Sequence, residues 1–212
     1  MEVIVAGGHG QIALKLLGLL AERGDRARGL IRNPDHSADV DAAGAEAVVC
    51  DMEAEEDLAP FIEGADAVVF AAGAGPGSGP ERKRTVDLGA AVKLIDAAKA
   101  AGIRRYVMLS AIGSGRPERW SEQMRPYYEA KTEADEHVAA AGLDHTIVRP
   151  GGLTDDAGTG RVSVGDDLGS GRVSRDDVAA TLAAVLATDS TIGLAFDLLE
   201  GDTPVDEAVR SL

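Results

Sequence analysis

Two side chains four positions apart, Tyr127 and Lys131, have types and spacing that suit proton transfer. On a helix, residues at this spacing lie on one face with their side chains in mutual reach. A phenol with a pKa near ~10 is a poor acid or base at neutral pH unless an adjacent ammonium stabilises its anion. Ser110, which follows a short apolar run, is expected to hold a substrate oxygen. Tyr128 competes with Tyr127 for the active position, and the alternative is a partly buried tyrosine beside an exposed lysine.

A glycine-rich turn, AGGHGQIA over residues 6–13, links the first apolar run to a helical pattern. Its glycines Gly7, Gly8 and Gly10 fit either of two spacings that end in a small residue at Ala13. Both spacings place small residues where the chain turns sharply, where backbone approaches a pyrophosphate and where a helix packs on a strand. The turn therefore predicts dinucleotide binding, with a plain strand-to-helix turn as the alternative. His9 either donates to a phosphate or lies in solvent.

The end of the second apolar run predicts which dinucleotide binds. Binders of the unphosphorylated form usually carry an acid there for the ribose 2′-hydroxyl, whereas this run is followed by Arg32 and Asn33. A guanidinium can pair bidentately with a 2′-phosphate, which a carboxylate would repel. Asp35 lies close by, so we expect NADP(H) in preference to NAD(H), with NAD(H) still possible. A solvated arginine is the remaining alternative.

Two further strand ends are candidates for the cofactor site. After the third run, the carboxylate of Asp51 can accept a hydrogen bond from the adenine amino group while Met52 packs on the ring; an ordinary strand-end acid is the alternative. The fourth run ends in Ala71, Ala72 and Gly73, whose small side chains let a cofactor ribose approach the backbone. Lys131 is expected to bond the nicotinamide ribose as well.

Short apolar runs alternate with helical patterns along the chain, which predicts an α/β fold with a doubly wound parallel sheet, the Rossmann fold, and helices on both faces. The seven predicted strands are Val3–Ala6, Ala27–Ile31, Ala47–Cys50, Ala67–Ala71, Arg105–Leu109, His145–Val148 and Leu194–Leu198. The predicted helices are Gln11–Arg23, Ser37–Ala43, Leu58–Ile62, Thr85–Ala101, Tyr127–Ala141, Arg175–Ala187 and Val205–Arg210. Two glycine-rich stretches, 72–80 and 151–171, are predicted as loops at the carboxyl ends of strands, where such sheets bind ligands.

Length and charge limit the possible partners. A chain of 212 residues suits one domain, 1–212, with a small substrate-covering portion at about 151–212. The net charge of −15 repels nucleic acid and anionic lipid. A single cysteine, Cys50, excludes an intrachain disulfide and a thiolate zinc site, and we expect no metal. No basic leader or membrane-spanning run stands out, so we expect a cytoplasmic protein with a small-molecule substrate, as a monomer or a homodimer.

These motifs together resemble the short-chain dehydrogenase/reductase superfamily, and most closely its atypical NAD(P)H-binding branch, which includes flavin/biliverdin reductase-like and NmrA-like proteins. The resemblance spans nearly the whole chain through VIVAGGHGQIA, GIRRYVMLSA, YYEAK, TIVRPGGL, VSRDDVA and FDLLEGDTP. It implies a catalytic Ser110, Tyr127 and Lys131, and a 2′-phosphate role for Arg32. It also implies that the pyrophosphate site is formed by Gly7, Gly10, Gln11 and Ile12. The nicotinamide is implied to be covered by Pro150, Gly151 and Gly152.

The sequence departs from the family pattern at three places. Ala13 replaces the third glycine, Ala71–Gly73 replaces an asparagine-rich strand end, and Asp87 stands where many relatives place asparagine. The leading hypothesis is an NADPH-dependent reductase that transfers hydride to a small carbonyl or conjugated acceptor, with Tyr127 as proton donor. The alternatives are an epimerase or dehydratase and a non-catalytic NADP(H)-binding regulator. Only about sixty residues follow the sixth strand, which favours a substrate smaller than a nucleotide sugar.

Overall fold

The structure, a computed structural model, describes residues 1–75 and 77–212. Pro76, within the predicted loop 72–80, lies outside the described residues. The strands are β1 (Glu2–Ala6), β2 (Arg26–Ile31), β3 (Glu46–Val49), β4 (Ala67–Phe70), β5 (Arg105–Leu109), β6 (Asp144–Pro150), β7 (Gly152–Thr154), β8 (Arg161–Gly165), β9 (Arg172–Ser174), β10 (Leu194–Glu200) and β11 (Thr203–Pro204).

The helices lie between these strands. They are α1 (Gln11–Glu22), α2 (Ser37–Ala42), α3 (Ala59–Ile62), α4 (Pro80–Arg82), α5 (Ala91–Ala100), α6 (Arg125–Ala140), α7 (Arg175–Leu186) and α8 (Val205–Arg210). A π-helical segment, Lys83–Ala90, joins α4 to α5. The helix predicted to start at Thr85 therefore begins earlier, at Pro80, because Gly79 and Pro80 provide the start signal that proline gives at a first helical position. None of the helices in the described part of the chain is long and apolar enough to cross a bilayer.

The central sheet has the order β11-β8-β10-β6-β5-β4-β1-β2-β3. All the pairs among β1 to β6 and the β6–β10 pair are parallel, so the seven predicted strands and the Rossmann fold are confirmed. The chain moves outward from β1 in one direction through β2 and β3, and in the other through β4, β5 and β6. The point where the direction reverses lies between β1 and β4, where a doubly wound sheet forms its ligand crevice.

The core consists of two layers, one on each face of the sheet. Successive side chains of a strand point to opposite faces, so in β1 Val3 and Val5 join one layer while Ile4 joins the other. The first layer is closed by α1, α7 and α8, and the second by α3, α5 and α6. Because both faces are covered, the central strands are apolar throughout, which is the pattern that made them predictable.

The segment 151–171 differs from the predicted loop. It contains β7, which pairs with β9 in a separate two-stranded sheet, and β8, which adds to β10 in the antiparallel direction. With β8, and with β11 paired to it, the central sheet of the described residues has nine strands, where about seven were predicted. Both of its edges are short: β11 has two residues and ends at Pro204, and β3 has four and begins at the exposed Glu46.

Candidate functional site

The glycine-rich turn lies against two neighbouring strands. Gly7 has a φ of +78°, and a Cβ added there would lie 2.7 Å from the Cα of Ala72; one added at Gly8 would lie 2.7 Å from the Cα of Gly29. A side chain at either position would therefore displace backbone. The turn is closed by a hydrogen bond of 2.8 Å from the Gly10 amide to the Gly7 carbonyl.

This turn leads directly into α1, whose first turn carries no acidic residue. Gly10 precedes the helix in extended conformation, and within residues 1–75 and 77–212 no side chain caps the first amides. Uncapped amides and the helix dipole favour an anion at this position. Ile12 packs in the core, so it can face the turn only through its backbone, whereas Gln11 is exposed and its role stays a prediction.

A cavity of about 220 Å³ opens beside the turn, between the ends of β2, β3 and β4 and the helical segment that starts at Pro80. Six residues singled out from the sequence line it: Gly7, Arg32, Asp51, Met52, Ala72 and Gly73. The other lining residues are Leu30, Cys50, Glu53, Ala74, Arg82, Val86 and Ala90. Asp51 accepts a hydrogen bond of 3.0 Å from the Glu53 amide, and burial raises the pKa of the Cys50 thiol to about 11.

Three charged side chains meet at the rim of this cavity. Oε2 of Glu53 lies 3.2 Å from Nη1 of Arg32 and 2.8 Å from Nη2 of Arg82. Its other oxygen accepts a hydrogen bond of 2.7 Å from the Thr85 hydroxyl. Glu53 and Arg82 were not predicted, because neither belongs to a periodic pattern and only the fold brings them to Arg32.

Three other predicted cofactor-binding residues have partners away from the cavity. His9 lies 2.8 Å from a carboxylate oxygen of Asp39, and its ring stacks on that of His36 at a centroid distance of 3.6 Å. The Asn33 side chain accepts a hydrogen bond from the Asp35 amide and so caps a short 3-10 helix. Ala71 continues the β1–β4 ladder, since its amide donates to the Ala6 carbonyl at 3.0 Å. A role for these residues in cofactor binding stays a prediction.

The segment after β6 is held by backbone hydrogen bonds. The Gly151 amide donates to the Leu198 carbonyl and the Gly152 amide to the Gly171 carbonyl, each at 2.9 Å. Pro150 is buried at the end of β6, and its carbonyl accepts from the Ile112 amide. These contacts place the segment beside the loop that follows β5, and its role as a nicotinamide cover stays a prediction.

Ser110 and Lys131 meet at the carboxyl end of β5, and each is only 4% exposed. Nζ of Lys131 donates to the Leu109 carbonyl at 3.1 Å and lies 3.6 Å from Oδ1 of Asp87. The second oxygen of Asp87 accepts from the Ala74 amide at 3.2 Å, which ties this pair to the wall of the cavity. The hydroxyl of Ser110 lies 3.2 Å from that of Ser114.

The two adjacent tyrosines have different surroundings. Tyr128 stacks on Trp120 at a centroid distance of 5.8 Å, and Trp120 in turn donates to the Gly113 carbonyl at 2.8 Å. Tyr127 lies under the ammonium of Lys83, 5.2 Å from its ring centroid. Tyr128 is thus held in an aromatic stack on the loop after β5, and Tyr127 is the one that faces the helical segment carrying Asp87.

The electrostatics of Tyr127 differ from the sequence-based expectation. Burial, followed by the negative charge of Asp87, raises the pKa of the phenol well above its usual value. The expected lowering by Lys131 is not seen, because that ammonium is paired with the Asp87 carboxylate. The phenol of Tyr127 is therefore a weaker acid than that of a free tyrosine.

A second buried ion pair lies one turn further along α6. Asp135 follows Lys131 by four residues, and its Oδ2 lies 3.0 Å from Nε of Arg149 on β6. Burial raises the pKa of Asp135, an effect that the positive charges of Arg149 and Lys131 oppose. The sequence signal that could have found Asp135 is the continuation of the spacing of four from Tyr127 through Lys131.

Comparison with known proteins shows the family to which the chain belongs. A family model described as NAD(P)H-binding matches residues 7–189, and the chain belongs to that family. It is 44% identical to the uncharacterized sugar epimerase YhfK of Bacillus subtilis, over the full length of both. Among solved structures, it is similar to a provisionally named NAD-dependent epimerase/dehydratase from Bacillus halodurans (37% identity, both chains fully covered, TM-score 0.95) and to the oxidoreductase ylbE from Lactococcus lactis (31% identity, 100% of this chain and 96% of that one covered, TM-score 0.89). The resemblance to the atypical branch of the short-chain dehydrogenase/reductases is confirmed.

Proposed function

We propose that this protein is an NADP(H)-dependent reductase that acts on a small carbonyl or conjugated acceptor, with Tyr127 as proton donor. The observation that supports this most is the cavity beside the glycine-rich turn, which Arg32, Asp51 and Met52 line. Ser110 and Lys131 lie at the neighbouring strand end. Membership of the NAD(P)H-binding family supports a redox role.

The residues present fit such a cofactor. Any side chain at Gly7 or Gly8 would collide with backbone, and the uncapped first amides of α1 would bind a pyrophosphate. Arg32 would pair with the 2′-phosphate, while Asp51 and Met52 would hold the adenine. The bound nicotinamide would supply the hydride.

Proton transfer then depends on the chain's own residues. A hydride acceptor that gains negative charge on its oxygen needs a proton from a neutral acid. The phenol of Tyr127 is protonated at physiological pH, as a free tyrosine also is, and its raised pKa makes it a weaker acid than a free phenol. Lys131, held by Asp87 and the Leu109 carbonyl, would orient the ribose, and Ser110 would hold the acceptor oxygen.

Epimerase chemistry is the second candidate for this site. Two relatives carry epimerase names, and an epimerase of this type must first remove a proton from a substrate hydroxyl. The proposed reduction and this step interconvert the same phenol and phenolate, so the pKa of Tyr127 does not separate the two reactions. The short segment after β6 favours a substrate smaller than a nucleotide sugar.

The direct test is NADPH consumption, followed by absorbance, with purified protein and a panel of aldehydes, quinones, flavins and linear tetrapyrroles. We expect oxidation of NADPH with at least one of these acceptors. Tight NADPH binding without turnover on the whole panel would favour a regulatory NADP(H)-binding protein. Interconversion of a nucleotide sugar without net change in NADPH would favour the epimerase.

Replacing Asp87 tests the electrostatic control of Tyr127. In Asp87→Asn, loss of the carboxylate and release of the Lys131 charge should both lower the pKa of the phenol. A proton donor is active below its pKa, so kcat of the variant should begin to fall at a lower alkaline pH than kcat of the native protein. The midpoint of that fall should approach about pH 10, the pKa of a free phenol. The pH profile of kcat measures this, with exposed Asp96→Asn as control; an unchanged profile would show that Asp87 does not tune the acid.

A further inference from the structure

The rim of the cavity holds an anionic oxygen between two guanidinium groups. Oε2 of Glu53 lies 2.8 Å from Arg82 and 3.2 Å from Arg32, at distances typical of charge-assisted hydrogen bonds. The two arginines come from distant parts of the chain, one after β2 and the other at the end of α4. All three residues line the cavity beside the glycine-rich turn.

Two guanidinium groups that converge on one point repel each other unless an anion lies between them. Here the protein supplies that anion itself, and the cluster retains a net charge of one positive unit from Arg32, Arg82 and Glu53. Planar guanidinium groups bind phosphate oxygens in the same way as carboxylate oxygens. The position of Oε2 therefore marks where a phosphate oxygen would bind if the carboxylate moved aside.

The exposure of the three side chains allows such an exchange. Arg32 is 57% exposed and Arg82 44%, so neither guanidinium is locked by packing. Glu53 has a second anchor, since its Oε1 accepts from Thr85 at 2.7 Å. That contact can keep the carboxylate close to the cavity after its other oxygen has left the arginines.

We propose that Arg82 and Arg32 together form the subsite for the cofactor 2′-phosphate, and that Glu53 is an internal carboxylate that occupies this subsite and competes with the phosphate. This inference rests on the proposed function, because it assigns a part of the same cofactor site. Glu53 then sets the discrimination between NADPH and NADH. It lowers the affinity for NADPH below what two free arginines would provide, and it leaves the affinity for NADH unaffected.

A purely structural role for Glu53 would give a different result. If Glu53 only ties the turn after β3 to α4, its loss should lower the melting temperature and affect both nucleotides alike. The competing role predicts a change in the ratio of the two affinities, because NADPH and NADH differ only at the 2′-phosphate. The ratio therefore separates the two roles without reference to turnover.

The experiment measures the dissociation constants of NADPH and NADH by nucleotide fluorescence, with melting temperatures to verify folding. In Arg82→Gln we expect NADPH to bind about 10-fold more weakly and NADH to change less than about 2-fold, and Arg82→Lys should fall between. In Glu53→Gln we expect NADPH to bind about 10-fold more tightly, because a like charge beside the phosphate is removed.

Two matched variants control for charge and position. Arg84→Gln removes an exposed arginine paired with Glu133, and Glu56→Gln removes an exposed acid near Glu53; both should leave the ratio unchanged. An unchanged ratio in Arg82→Gln, or weaker NADH binding in Glu53→Gln, would overturn the inference while leaving nucleotide binding intact. If the native protein bound neither nucleotide at millimolar concentration, the proposed function would fail together with the inference.

Discussion

Tyr127→Phe should lower kcat for NADPH-dependent reduction by about 10²–10⁴-fold, the range typical of a lost general acid. The substitution removes only the hydroxyl, and the ring keeps its place under the Lys83 ammonium. The dissociation constant of NADPH should therefore stay nearly unchanged. Steady-state kinetics and a nucleotide fluorescence titration on the same preparation measure the two quantities separately.

The neighbouring tyrosine is the matched control. Tyr128→Phe keeps the ring that stacks on Trp120, so its kcat should stay within about 3-fold of the native value, well short of the loss of a general acid. If instead Tyr128→Phe removed turnover and Tyr127→Phe did not, the roles of the two residues would be reversed. Equal activity in both variants would point to reduction without a tyrosine acid.

Arg149→Gln should reduce the free energy of unfolding by about 3–5 kcal/mol at neutral pH, because it leaves a buried carboxylate without its cation. Asp135 is only 3% exposed, and Arg149 is its nearest positive partner at 3.0 Å. The Ser110 hydroxyl also interacts with this carboxylate, but it is neutral and cannot replace the cation. Chemical denaturation at neutral pH measures the loss.

The sign of the pH dependence follows from the raised pKa of Asp135. Between its unfolded and folded pKa values the folded protein binds more protons than the unfolded chain, so this group's contribution to stability falls as pH rises. Without Arg149 the folded pKa rises further. The deficit of the variant should then be largest at neutral pH and shrink as pH falls through the folded-state pKa of Asp135, because a neutral carboxyl needs no cation.

An exposed ion pair provides the comparison. Arg104 pairs with Asp144 at 2.7 Å, but the arginine is 65% exposed, so water screens the interaction. Arg104→Gln should cost far less stability than Arg149→Gln and show little change with pH. A similar loss in both variants, or a deficit in Arg149→Gln that grew at acid pH, would contradict the assignment of Asp135 as a buried, costly charge.

The central strands and the glycine-rich turn could be predicted because local sequence determines them. Two of these strands, Val3–Ala6 and Ala67–Ala71, are apolar on both faces. Such a continuous apolar run is typical of a strand that helices cover on both sides. Gly7 has a positive φ, and a Cβ there would collide with backbone. Only glycine suits this position, and the glycine spacing in the sequence predicts it. The structure confirms these strands and the parallel order that follows from them.

The remaining features depend on contacts between distant segments. Strand β8 is short and takes its place from antiparallel pairing with β10, which no local pattern near Arg161 reveals. Likewise, the spacing of Tyr127 and Lys131 predicts proximity on one face of α6, but the partner of the ammonium is Asp87, about forty residues earlier in the chain. The direction of the pKa shift of Tyr127 therefore could not be predicted from the spacing, since it depends on burial and on that third charge.

The short edge strands of the central sheet, β11 and β3, affect how copies of this chain can associate. An unpaired outer strand is a template on which another chain can add a strand, and long apolar margins promote fibrous aggregation. Here one margin is limited to two residues by Pro204, which has no amide hydrogen to donate, and the other to four residues that begin with a charged Glu46. Growth by strand addition is therefore disfavoured at both margins of the central sheet.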